Sequence, residues 1–168
     1  TRHNIGFMVL DELAKKHDCK WELGKQAFHT SFKYKGRTFI LIKPTTYMNL
    51  SGKAIRHWMT TEKINQENLL VITDDIALPF ETLRLKAKGS SGGHNGLKNI
   101  EALLNSQEYA RLRFGVGGDF SKGKQVDYVL GNFNTDEQIT LSTLIEKSCE
   151  MTLAFTTIGI ARTMNHFN

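Results

Sequence analysis

Five side chains in this sequence combine acid–base or amide chemistry with a position beside a turn or an element end: His3, Asn49, Asp74, His94 and Asn95. Functional groups collect at such places because a rigid scaffold holds them while their tips stay reachable. A histidine and a carboxylate suffice for general-base catalysis. Imidazole titrates near neutral pH and takes a proton from water, while an Asp bonded to its other nitrogen sets the tautomer and supports the imidazolium. Asparagines add neutral donors and acceptors that orient a substrate carbonyl. Plainer roles compete at each position. His3 also fits a solvated terminal histidine, and Asp74 a turn residue or helix cap, with Asp75 beside it as a rival. In Tyr47-Met48-Asn49-Leu50-Ser51-Gly52 either Asn49 or Ser51 fits an N-cap, and Asn95 fits the cap of a helix at residues 97–105.

The run Gly89-Ser90-Ser91-Gly92-Gly93-His94-Asn95-Gly96-Leu97-Lys98 joins a glycine loop to a predicted helix start. Glycines let backbone N–H groups approach a ligand, and the first N–H groups of the helix add a positive dipole end, so the junction suits an anion. Upstream, Arg84, Lys86 and Lys88 alternate with Leu85 and Ala87, which in a strand places all three cations on one face. Together these suggest phosphate, against the plainer reading of a mobile loop before a helix. There is no GxSxG elbow, HExxH, complete P-loop or GxGxxG, which removes most named hydrolase mechanisms.

The elements that must position these groups come from a chain of 168 residues, enough for one domain with a real core. Hydrophobic residues make up 40% and charged residues 23%, the globular norm. No apolar run approaches the ~20 residues of a membrane span and no signal segment opens the chain, so a soluble, cytoplasmic protein is expected. Cys19 and Cys149 lack CxxC or Cys/His spacing, which argues against zinc and against a disulfide framework. A net charge of +5 and a pI near 9.2 are compatible with a nucleic-acid partner.

Apolar residues from Ile5 to Ala14 recur at helical spacing and predict a helix over residues 5–17, with Thr1 or Asn4 as cap. Residues 27–34 and 37–43, rich in Phe, Tyr, Thr and Ile, flank Lys35-Gly36 and predict a β-hairpin closed by Pro44. A helix is expected over 50–63, with Ala54, Ile55, Trp58 and Met59 on one side. Residues 69–73 read as a central strand ending in Asp74-Asp75, at the edge where open α/β sheets place ligands. Residues 109–117 predict an alternating strand ended by Gly117-Gly118, Ser121-Lys122-Gly123-Lys124 a basic loop, and 126–131 either a short strand or a turn. Thr135 and Gln138 fit a capping box opening a long helix whose stripe is Ile139, Leu141, Leu144, Ile145, Met151, Phe155 and Ile158. Strands and helices mix throughout, so the expected class is α/β, a single sandwich of helices around a sheet.

Thr-Arg-His-Asn at 1–4, Lys-Pro-Thr-Thr-Tyr-Met-Asn-Leu-Ser-Gly at 43–52 and Asp-Asp at 74–75 are followed by the glycine run at 89–98, Arg-Leu-Arg-Phe-Gly-Val-Gly at 111–117 and Tyr-Val-Leu-Gly-Asn-Phe at 128–133. Through these blocks, in family order over nearly the whole chain, the sequence resembles bacterial peptidyl-tRNA hydrolases. The resemblance implies cleavage of the ester between a peptide and the terminal ribose of tRNA, which recycles tRNA from aborted translation. It implies His3 as general base, Asp74 as its orienting carboxylate, Asn49 and Asn95 holding substrate and water, and Tyr47 and His94 at the substrate site. Lys86 and Arg113 match positions that contact tRNA phosphate, with Arg84 and Lys88 extending that surface. The implied fold is a single α/β/α domain around a mixed twisted sheet, monomeric and without a metal cofactor.

The pattern departs at its start. Family members open with an apolar strand and Gly-Asn-Pro-Gly, roughly fifteen to twenty residues before the Thr-Arg-His-Asn block, the length of about one strand and a loop. The sequence here opens at that block, so the expectation is a truncated domain, open at a sheet edge, prone to associate and low in activity. Ala77 stands where relatives often carry a second acid. Two other readings compete: a non-catalytic RNA-binding protein on the same fold, as in plant organelle splicing factors, and a nucleotide-phosphate binder using the 89–96 loop.

Overall fold

The computed structural model describes residues 1–168. In chain order its elements are α1 (Ile5–Lys16), β1 (Glu22–Gly24), β2 (Ala27–Tyr34), β3 (Arg37–Pro44), α2 (Ser51–Thr61), β4 (Leu70–Asp75), β5 (Leu83–Lys86), α3 (Asn95–Leu104), β6 (Ala110–Gly115), α4 (Gln125–Leu130), α5 (Thr135–Thr157) and α6 (Ile160–Phe167). Single 3₁₀ turns stand at Arg2–Asn4, Met48–Leu50 and Gln66–Asn68. The α/β class expected from the sequence is the one observed. Packing divides the chain into two units: residues 1–13, 71–86 and 111–168, and residues 14–70 and 87–110.

The first unit holds a three-stranded sheet in the order β4-β6-β5, so β6, rather than β4, is its middle strand. β6 therefore departs from the alternation expected of it: five of its six residues are buried, Arg111 included. β5 runs antiparallel to it, with Leu83 and Leu85 buried and Arg84 and Lys86 exposed. The outer edge of β5 is sealed by the side-chain amide of Asn168, which accepts from Leu85 N–H at 2.9 Å and donates to Leu85 C=O at 2.9 Å. Ile5, Val9 and Leu13 form the buried stripe of α1, and Leu141, Leu144, Met151 and Phe155 that of α5. Ile139 and Ile158, assigned to the same stripe from spacing, are exposed. Neither expected cap of α1 forms, because a 3₁₀ turn runs straight into it and Thr1 makes no side-chain capping bond. The capping box of α5 lies one residue earlier than expected. Asn134 Oδ1 accepts from Glu137 N–H at 2.8 Å and Glu137 Oε1 from Asn134 N–H at 2.9 Å, while Gln138 reaches back to the Phe133 carbonyl. Residues 126–131 belong mostly to a helix, α4, so both earlier alternatives fail there.

The second unit carries the β1-β2-β3 sheet, antiparallel throughout, in which Tyr34 pairs Arg37 across Lys35 (φ 47°) and Gly36 (φ 73°). Two successive positive φ values are the two-residue hairpin turn whose twist matches that of the strands. β1, three residues with no clear sequence period, pairs Leu23 with Phe28. Helices α2 and α3 pack together where Gly52 N–H donates to Asn99 Oδ1 at 2.7 Å. A Cβ at Gly52 would lie 2.7 Å from the Asn99 carbonyl oxygen, so only glycine allows this approach. Neither Asn49 nor Ser51 caps α2: Leu50 holds the cap position, Asn49 lies in the 3₁₀ turn, and Ser51 Oγ donates to Met48 C=O at 2.7 Å.

Candidate active site

In the first unit, His3 and Asp74 meet. His3 sits in the 3₁₀ turn before α1, and Asp74 near the end of β4. The Nδ1 atom of His3 lies 3.0 and 2.9 Å from the two carboxylate oxygens of Asp74. Asp74 is buried and His3 half-buried. Facing a carboxylate, Nδ1 carries the proton and donates it, which leaves Nε2 as the basic nitrogen. What allows the approach is Gly6, one turn along: a Cβ there would lie 2.5 Å from the Ile72 carbonyl oxygen, so the absence of a side chain brings α1 down onto β4. Helical periodicity gives no sign of Gly6; its signal is a glycine among the apolar residues that open the helix.

Asp75, the rival of Asp74, has other work. Its Oδ1 accepts from Ala77 N–H at 2.8 Å, turning the chain after β4, and its Oδ2 pairs with Arg113 Nε. Arg113 is therefore half-buried and ion-paired. Arg84 stands directly opposite it on β5, and Lys86 opposite Arg111, so the four cations share one face of the β5-β6 pair. Lys88, expected to continue that row, lies beyond the strand and within the second unit, where it is exposed.

In the second unit, Tyr47, Asn49, His94 and Asn95 gather around the Met48–Leu50 turn and the start of α3, which touch each other. A Cβ at Gly96 would lie 2.8 Å from Met48 Sδ, so this contact too depends on a glycine. Tyr47 is 82% exposed, and Asn49 and Asn95 are also exposed, their amides open to solvent-borne molecules. The helix cap is His94, not Asn95: its Nδ1 accepts from Gly96 N–H at 3.1 Å and Leu97 N–H at 3.3 Å. Two amide donors on Nδ1 require the ring proton to reside on Nε2. The same bonds occupy N–H groups that the sequence offered to a phosphate, so the helix start is filled by its own histidine. Gly92 (φ 60°) and Gly93 (φ 86°) make the turn that delivers His94 there.

The chain as a whole is similar to known proteins in sequence and in fold. The family model described as peptidyl-tRNA hydrolase matches residues 1–168. The chain is 57% identical over 168 residues to the peptidyl-tRNA hydrolase of Cytophaga hutchinsonii, covering 100% of this chain and 89% of that protein. It is 54% identical to that of Bacteroides fragilis, covering 100% and 90%, and 49% identical to that of Porphyromonas gingivalis, covering 100% and 91%. Among solved structures, the peptidyl-tRNA hydrolase of Acinetobacter baumannii superposes with a TM-score of 0.93 at 29% identity, over 100% of this chain and 86% of that one. A peptidyl-tRNA hydrolase in complex with N-propanol matches equally, at TM-score 0.93 and 29% identity over the same shares.

Proposed function

The chain belongs to the peptidyl-tRNA hydrolase family, and from that premise we propose that His3 and Asp74 are the general-base pair which cleaves the ester joining peptide to tRNA. The single observation that carries the reading is the double approach of His3 Nδ1 to the Asp74 carboxylate at 2.9 and 3.0 Å. Nε2 of His3 takes a proton from water as the oxygen attacks the ester carbonyl, and Asp74 supports the imidazolium that forms. As the tetrahedral species collapses, the ribose oxygen leaves and receives that proton, so imidazole is restored and no covalent enzyme intermediate is needed. Asn49 and Asn95 hold the substrate and the attacking water through their amides, and an amide N–H directed at the developing oxyanion lowers the barrier electrostatically. His94 offers the donor on Nε2 that its capping role dictates, and Tyr47 offers an exposed ring to the substrate.

Lys86 and Arg84, exposed on β5, provide point charges for tRNA phosphates; Arg113 contributes from its pair with Asp75, and Lys88 from its own loop. The match of the family model to residues 1–168 supports reading them as one domain; in the same reading the full-length protein is monomeric and acts in the cytoplasm, where peptidyl-tRNA arises. No helix is long and apolar enough to cross a membrane. The alternative of a non-catalytic RNA-binding protein draws no support from the relatives and structures described above, which are hydrolases by name. The deciding experiment measures release of tRNA from an N-blocked aminoacyl-tRNA by the chain and by His3→Ala. Turnover lost by at least ~10²-fold with binding retained is the expected result; near-normal turnover of His3→Ala would remove His3 from the chemistry.

A further inference from the structure

His3 and Asp74 stand at a short 3₁₀ turn and at a strand end, two places with few backbone bonds of their own to hold a distance of 2.9 Å. Their sequence neighbours are held by unusual means. Beside His3, the Arg2 guanidinium lies over the Tyr128 ring, 4.2 Å from its centroid. Its Nη1 donates to the Tyr128 carbonyl at 3.1 Å and its Nη2 pairs with Glu137 Oε1 at 3.1 Å. The Arg2 backbone N–H adds a bond to Gly131 C=O at 3.0 Å. Beside Asp74, the Asp75 carbonyl accepts from Val116 N–H at 3.1 Å, and the Val116 carbonyl accepts from the Tyr128 hydroxyl at 2.5 Å. Tyr128 thus touches both sides, its ring under Arg2 and its hydroxyl on the strand end that anchors Asp75.

There is little slack at either end of Tyr128. A Cβ at Gly117, where φ is +78°, would stand 3.1 Å from the Tyr128 hydroxyl, and one at Gly131 would stand 3.1 Å from Arg2 Nη1. The Arg2 and Glu137 side chains are only 11% and 12% exposed. A largely desolvated ion pair is a poor source of net stability, since desolvation offsets most of its attraction, but it is a strict source of geometry. Arginine suits the place because its planar fork stacks on the ring while donating in two directions, which lysine cannot do.

We propose that Tyr128, together with Arg2, is a positioning residue that brackets the His3–Asp74 pair and sets its separation. The proposal rests on the reading of His3 as base. Neither residue touches substrate; both act through the geometry of the pair. Tyr128→Phe keeps the ring under Arg2 and removes only the hydroxyl bond to Val116. On N-blocked aminoacyl-tRNA it is expected to lower kcat about tenfold with KM within about twofold, the signature of misplacement in the transition state. In an Asp74→Asn background, where the pair is already compromised, the same change is expected to cost less than about twofold. A merely structural role would lower the rate by the same factor in both backgrounds. Should Tyr128→Phe melt below the assay temperature, Arg2→Lys and Glu137→Gln carry the same cycle. Full additivity with Asp74→Asn, or an unchanged kcat in Tyr128→Phe, overturns the bracket while His3→Ala remains inactive. Retained turnover in His3→Ala overturns the base assignment and the bracket with it.

Discussion

At the scale of single residues, orientation decides function more than residue type. Asp74 and Asp75 are chemically identical neighbours, yet one faces an imidazole and the other an arginine and a turn amide. Asp74→Asn keeps the shape and loses the charge that, in the proposed mechanism, supports the imidazolium, so its rate loss is expected to overlap heavily with that of His3→Ala, the double variant being little worse than the worse single one. Steady-state kinetics of the four proteins checks this; additive losses would separate the two residues. Tyr128 supplies a pH-dependent counterpart. Burial pushes its phenol above the ordinary value, so the neutral form is the one the fold accommodates. Its contribution to stability is whole below about pH 10, the unfolded value, and is lost as pH rises through the raised folded value. Urea midpoints measured from about pH 8 to about pH 11 should therefore fall less steeply for Tyr128→Phe than for the parent chain. Parallel slopes would show that the hydroxyl is indifferent to the fold.

Elements carry the next set of consequences. α1 delivers His3 only because Gly6 has no side chain. Gly6→Ala gains helix propensity, worth about 1 kcal/mol, but sets a Cβ 2.5 Å from the Ile72 oxygen, a backbone atom that cannot swing aside. The steric term wins, at about 1–3 kcal/mol for a forced shift in packed structure. The variant should melt lower and lose turnover out of proportion to binding, as the helix that directly follows His3 lifts from the strand carrying Asp74; a stabilised, fully active Gly6→Ala would contradict this. In α5, Asn134→Ala removes one half of the capping box and is expected to lower stability by about 1 kcal/mol, read by urea unfolding. Glu137 serves that box and Arg2 at once, so its replacement should reach further than that of an ordinary cap.

For the molecule as a whole, the question is how a small reactive pair acquires a large polyanionic substrate. In the proposed reading the net charge of +5 provides general attraction, and Arg84 and Lys86, exposed on β5, provide a local row of cations. Lys86→Ala should raise KM with a smaller change in kcat and reduce the slope of log affinity against log salt by about one unit or less. A substrate cut down to the aminoacyl end should not sense it. Arg113→Ala is expected to behave differently, because it also strips Asp75 of its partner beside Asp74. Its loss should persist in part on the short substrate. Titrations at several salt concentrations with both substrates separate the two cases, and identical profiles would place both residues in one role.

By itself the sequence determined what local preference and composition can determine: the α/β class, the hairpin turning at Lys35-Gly36, the apolar stripe of α1, the polar end of β4, and through its ordered motif blocks the family. These depend on periods of two or 3.6 residues, on turn chemistry, or on recognisable strings. Tertiary structure decided which of several equivalent polar groups does what. His94 rather than Asn95 caps α3, Asn134 and Glu137 rather than Thr135 and Gln138 form the box, and Val126 to Leu130 are helical although their string reads equally as strand or turn. It also put Arg111 and Arg2 out of water, against the preference of arginine for the surface. The physical reason is range. A cap or a turn is chosen by neighbours a few residues away, whereas the pairing of His3 with Asp74 joins groups 71 positions apart, and only the approach of α1 to β4 at Gly6 brings them into contact.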